Sequence, residues 1–188
     1  MSDPTSITVE RVIDHSAAEI FDFLSNPENH ARLDASGMVR GDYKTDRIQR
    51  VGDVFTMDMY AEAMGGEYRT DNHVSGFADD KLLAWKTAPA GSEPPGWEWV
   101  WELTPLGTDS TRVRHTYDWT EVDKKLREKL PFPVVSEKQL ADTLGNLAAA
   151  VAARGFEPVP VQLLSSPVAG GTGTPRIHPF GHPRRGHR

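Results

Sequence analysis

WEWVWEL, Trp97 to Leu103, sets three tryptophans at alternate positions, the spacing that turns side chains to one face of a β-strand. Glu98 and Glu102 take the other parity, so the indoles are expected to point inward. Each buries on the order of 150–250 Å², and three in water would form an exposed apolar stripe. The face must meet a helix, a partner or a ligand.

The neighbouring stretches supply strands to pair with it. TRVRHTYDW, Thr111 to Trp119, puts Val113, His115, Tyr117 and Trp119 on one parity and Arg112, Arg114, Thr116 and Asp118 on the other. The second set suits solvent, so the first is expected inside. LLAWKT precedes the stripe, and APAGSEPPG and LGTDS, both rich in turn residues, separate the three strands. Further upstream Phe55, Met57, Met59 and Ala61 alternate with Thr56, Asp58 and Tyr60. Gly65 and Gly66 can supply the positive φ of a tight hairpin turn before the returning strand GEYRTDNHVSGF. On that strand Tyr68, Thr70, Asn72 and Val74 share the inward parity, with Arg69, Asp71 and His73 outward.

Helices bracket these strands. After a first strand in ITVERVID, with Ile7, Val9 and Ile13 in one parity, Ser16 and Glu19 form a capping box and Ala17, Ile20, Phe21 and Leu24 recur at helical spacing. Asn26 and Pro27 open a second short helix as N-cap and first helical residue. Near the end Ser136 and Gln139 form another capping box, and Leu140, Leu144, Leu147 and Val151 mark a helix from about Glu137 to Arg154 with Gly155 as its cap. At 1.5 Å per residue that helix is roughly 27 Å long, enough to cross a curved sheet.

One strand, two short helices, an antiparallel meander and a long C-terminal helix describe an α+β domain. VERVIDHSAAEIFDFLSNPENHARLDASGMV, LLAWKTAPA, PPGWEWVWEL and TRVRHTYDW together resemble the START-like, helix-grip superfamily, also called SRPBCC, with its birch-pollen-allergen and polyketide cyclase/dehydrase groups. The resemblance spans about Ile7 to Phe156. It implies a curved antiparallel sheet of about seven strands wrapped on the C-terminal helix, with an apolar cavity between them.

Within that frame the stripe is plain core on Leu140, Leu144 and Leu147, or the wall of a pocket for a flat or long hydrophobic ligand, or, third, an outer face used for protein contact. The expected ligand contacts are Trp85, Trp97, Trp99, Trp101 and Trp119, together with Met57, Met59, Asn72 and Leu144. His115 is a candidate acid or base, and Tyr117 a candidate donor to a carbonyl; each is read as a satisfied structural group before it is read as catalytic. Asp34, in HARLDASGM, is read as a turn cap before it is read as a lone acid. The resemblance implies a small hydrophobic or polyketide-like ligand, transformed by a cyclase or dehydratase; the alternative is a non-enzymatic module, either a lipid or metabolite carrier or a stress-related interaction protein.

Composition narrows partners. The 188 residues, 38% hydrophobic, suit one domain with a sizeable core. All 27 acidic residues lie at or before Glu157, against 17 of the 21 basic ones, so that part carries −10 and the remainder +4. An acidic body disfavours nucleic acid. Residues 1–156 are expected to be the domain, and 157–188, dense in Pro, Gly and Arg, a disordered tail. His178 and His182 there have metal-like spacing without a helix to align them, so no metal is expected. The absence of cysteine excludes disulfides and thiolate chemistry, and no phosphate-loop, dinucleotide or nucleophile-elbow motif is present, so no cofactor is expected. MSDPTSITVE has neither a basic start nor an apolar run, and no window reaches a membrane span, so a soluble cytoplasmic protein is expected.

Overall fold

The computed structural model describes residues 4–154; Gly155, the boundary at Phe156, and the tail with His178 and His182 lie outside them. The elements run β1 (Ser6–Ile13), α1 (Ala17–Leu24), a 3₁₀ turn (Pro27–Asn29), α2 (His30–Leu33), β2 (Val39–Asp42), β3 (Val54–Ala61), β4 (Gly66–Ala78), β5 (Leu82–Pro89), β6 (Glu98–Gly107), β7 (Ser110–Asp118), α3 (Lys124–Lys129) and α4 (Glu137–Arg154). The strands form one curled seven-stranded antiparallel sheet in the order β1-β7-β6-β5-β4-β3-β2. The fold is α+β, as the alternation and caps imply.

Both capping boxes form. Ser16 Oγ accepts from the Glu19 amide at 3.2 Å while Glu19 Oε2 accepts from the Ser16 amide at 3.1 Å. Ser136 and Gln139 repeat the exchange at 3.2 and 2.9 Å at the start of α4. Asn26 accepts from the Glu28 amide ahead of Pro27. Asp34 is a cap: Oδ1 accepts from the Ser36 amide and hydroxyl, and Oδ2 from the Val39 amide.

α4 buries Leu140, Leu144, Leu147 and Val151 to 2% exposure or less. Full burial of each aliphatic side chain stabilises by roughly 1.5–3 kcal/mol, so this stripe holds the helix down. Two polar ties fix its position along the chain: Asn146 Nδ2 donates to Leu33 O at 3.0 Å, and the Ala35 amide donates to Thr143 Oγ1 at 3.2 Å. Both clamp α4 to the end of α2.

Three features differ from the sequence reading. β2 forms from Val39–Asp42, too short and too mixed in polarity to show an alternation, because β3 offers it an edge. α3 is a six-residue helix with no buried residue, capped by Asp123, and its apolar signal is correspondingly absent. The β3–β4 connection is longer than a two-residue turn: a 3₁₀ turn at Glu62–Met64 precedes Gly65 and Gly66, whose φ values of +85° and +111° are positive as their residue type allows.

Candidate functional site

The inner face of β5, β6 and β7 is a continuous aromatic layer set by register. Trp85 lies opposite Trp99 across β5–β6, Trp99 opposite Tyr117 and Trp101 opposite His115 across β6–β7. Trp99 stacks on Tyr117 with centroids 4.2 Å apart and planes 9° apart, and Trp101 stacks on His115 at 3.7 Å and 15°. Trp119 packs on Tyr117 and on Phe132, and Phe132 also meets Trp97 at 6.0 Å.

A second aromatic group stands beside it. His30, from α2, stacks on Trp85 at 5.2 Å and meets Phe55 edge-on at 5.4 Å. Asn72 Nδ2 donates to Phe55 O at 3.2 Å, and Thr87 Oγ1 donates to Asn72 Oδ1 at 2.7 Å. The second Nδ2 hydrogen of Asn72 is not used by these bonds.

The sequence-derived residues thus fall into two groups. Trp101, Met57 and Leu144 are buried in one hydrophobic cluster, which Met59 and Trp85 flank half-buried. Tyr117 and Trp119 are buried in another, flanked by half-buried Trp97, Trp99 and Met38. Arg112 and Arg114 are exposed on the outer face, where Arg114 pairs with Glu10 and Glu102. Two surface recesses of about 390 and 360 Å³ lie elsewhere, around Asp22, Arg47 and Phe77 and around Lys44, Arg50 and Asp53. None of the sequence-derived site residues lines either of them.

Burial controls the polar groups of the aromatic layer. The His115 pKa is pushed down to about 4 by desolvation, which a hydrogen bond to Val100 O at 3.2 Å only partly opposes. A carbonyl can only accept, so Nδ1 carries the proton and Nε2 is a lone pair. Desolvation raises the Tyr117 pKa, against a backbone hydrogen bond from Val134. Trp101 Nε1 is buried without a partner.

The sequence pattern does not single out His30. It is 8% exposed, and its Nε2 lies 2.7 Å from Leu24 O. Burial lowers its pKa, against the Leu24 bond and the charge of Asp42. The available signal was its helical spacing from Leu33, which puts both on the inner side of α2. Phe132 and Thr87 were missed too; the latter shares the parity of Trp85.

Among the described residues no cluster of His, Cys, Asp or Glu is arranged to hold a metal ion, and no helix is long and apolar enough to cross a membrane.

No family model matches the chain. An uncharacterised protein of Mycobacterium tuberculosis, Rv0088, is 35% identical over 103 residues, which are 55% of this chain and 42% of that protein. A second uncharacterised protein from another strain of that species, MT0096, is 34% identical over the same length. The chain therefore spans less than half the length of the curated relatives it matches. Among solved structures, the Zhui aromatase/cyclase from Streptomyces sp. R1128 superposes with a TM-score of 0.57 at 10% identity, over 81% of this chain and 96% of that one. An AHSA1-like protein from Aeromonas hydrophila gives 0.54 at 17% identity, over 81% and 96%. A protein from Arthrobacter aurescens gives 0.59 at 13% identity, over 79% and 87%. Such identities speak for architecture only, and together with the strand order and the closing helix they show that this chain has the helix-grip fold.

Proposed function

We propose that the protein binds a small hydrophobic or polyketide-like molecule between the inner face of the sheet and α4. The observation that carries this reading is the seam between the two hydrophobic clusters. Trp85 belongs to the margin of one and Trp99 to the margin of the other, although the two are opposed in register. Large apolar side chains left half-buried on an inward face are surface that a flat or long apolar ligand would cover. Met59, beside the first cluster, and Met38 and Trp97, beside the second, are half-buried in the same way.

The polar groups of this wall suit either a carrier or a cyclase/dehydratase. For the enzyme, neutral His115 would accept a proton at Nε2 while the Tyr117 hydroxyl polarises a carbonyl, as general base and donor. For the carrier the same two groups orient the ligand without proton transfer. Residues 1–156 act as the ligand-binding domain in either case.

The test uses N-phenyl-1-naphthylamine, a neutral apolar probe whose emission rises on transfer from water. Saturable binding to the full chain is expected, weakened at least about tenfold, roughly 1.4 kcal/mol, by His115→Ala and unchanged by Arg114→Ala. Trp99→Ala is the second inward variant, should His115→Ala fail to fold. No saturable binding, or equal loss from inward and outward substitutions, would remove the pocket as the functional site.

A further inference from the structure

We propose that His30 and His115 make the binding wall selective for planar ligands that carry a hydroxyl hydrogen-bond donor over equally shaped ligands that carry none. This deepens the proposed function and rests on it.

Each ring has already committed one of its nitrogens. His115 gives its Nδ1 hydrogen to Val100 O at 3.2 Å, and His30 gives its Nε2 hydrogen to Leu24 O at 2.7 Å. A carbonyl oxygen has no hydrogen to return, so the bonds fix the tautomer of each ring. What remains is His115 Nε2 and His30 Nδ1, each a lone pair with no hydrogen. Burial keeps both rings neutral, and no carboxylate bonds to either of them to restore a second proton.

Both rings belong to the aromatic wall. His30 stacks on Trp85 with planes 16° apart, and His115 lies between Trp99 and Trp101 with planes 22° and 15° from theirs. The wall therefore combines flat stacking surface with two nitrogen acceptors, one on the His30 ring against Trp85 and one on the His115 ring against Trp101 and Trp99. A buried acceptor facing a methyl group loses its hydrogen bond to water and gains nothing, whereas a phenolic hydroxyl restores the bond. The hydrophobic effect alone would order such ligands the other way, because methyl is the more apolar substituent.

The experiment titrates the full chain with 2-naphthol and with 2-methylnaphthalene, two planar compounds of nearly equal shape, following tryptophan emission at pH 7.5. At least about tenfold tighter binding of 2-naphthol is expected. In His30→Phe and His115→Phe, which keep a stacking ring and remove the lone pair, the preference should shrink while 2-methylnaphthalene still binds. Equal affinities, or tighter binding of 2-methylnaphthalene, would overturn the inference and leave the pocket standing. Binding of neither compound would overturn the inference and the pocket together. If a variant does not fold, the ratio measured on the unaltered chain decides alone.

Discussion

Trp101 and His115 face one another across the β6–β7 pair with ring centroids 3.7 Å apart, and the indole covers an imidazole that is 4% exposed. Burial of this ring makes stability depend on pH. The folded His115 pKa is about 4 against an ordinary 6.5, so between those values the unfolded chain binds a proton that the folded one refuses. Its contribution is complete above pH 6.5 and is lost as pH falls towards 4, on the order of 3 kcal/mol in all. His30 shifts in the same direction and adds to the loss. Urea unfolding at pH 7, 5.5 and 4.5 should show a shallower dependence in His115→Phe than in the unaltered chain. Identical slopes would contradict this.

α4 supplies a second expectation. Leu147 is fully buried, and Leu147→Ala should cost about 2–5 kcal/mol, whereas exposed Ala149→Ser should cost less than about 0.5 kcal/mol. Chemical denaturation compares the two directly. Similar costs would mean that the helix face is wrongly assigned.

Asn146 tests the tie between α4 and α2. Losing its bond to Leu33 O in Asn146→Ala should cost about 1 kcal/mol and raise amide exchange in the last turn of α2 before it does so in β6. Uniform acceleration across the sheet would show that the tie is not local.

The outer face gives a control. Arg114 is exposed beside Glu10 and Glu102. Exposed pairs of this kind contribute about 0–1 kcal/mol and are screened by salt. Arg114→Ala should shift the thermal midpoint slightly at low ionic strength and not at 1 M NaCl. A large shift at high salt would place Arg114 in a structural role that its exposure does not suggest.

What could be read from the amino-acid sequence was whatever is periodic. Strands with one wet face announced themselves because Arg112 and Arg114 alternate with Val113 and His115, and α1 and α4 because capping boxes stand before helical stripes. β2 was not visible, since Val39–Asp42 pairs through its backbone and carries no alternation of its own. α3 was not visible because none of its residues is fully buried and only Leu126 packs on the core. The aromatic wall was half visible: parity places Trp99, His115 and Tyr117 on one face, but periodicity within a strand cannot show that α2 brings His30 onto Trp85. Nor can it give a tautomer, which depends on the carbonyls of Leu24 and Val100 reached through folding.

Gly96 settles a matter that parity leaves open. A strand that slides by one residue turns its side chains over, but a slide by two restores them to the same face and would leave the tryptophans pointing inward at the wrong heights. At Gly96, φ is +122°, and a Cβ there would lie 2.6 Å from Glu121 O. The backbone just ahead of Trp97 thus rests against the backbone just beyond β7, and this contact acts as a mechanical stop at one end of β6. Gly96→Ala would push the stop outward, so its damage should appear as altered pairing of Trp99 with Tyr117, more than one strand spacing away, rather than as a defect confined to the loop.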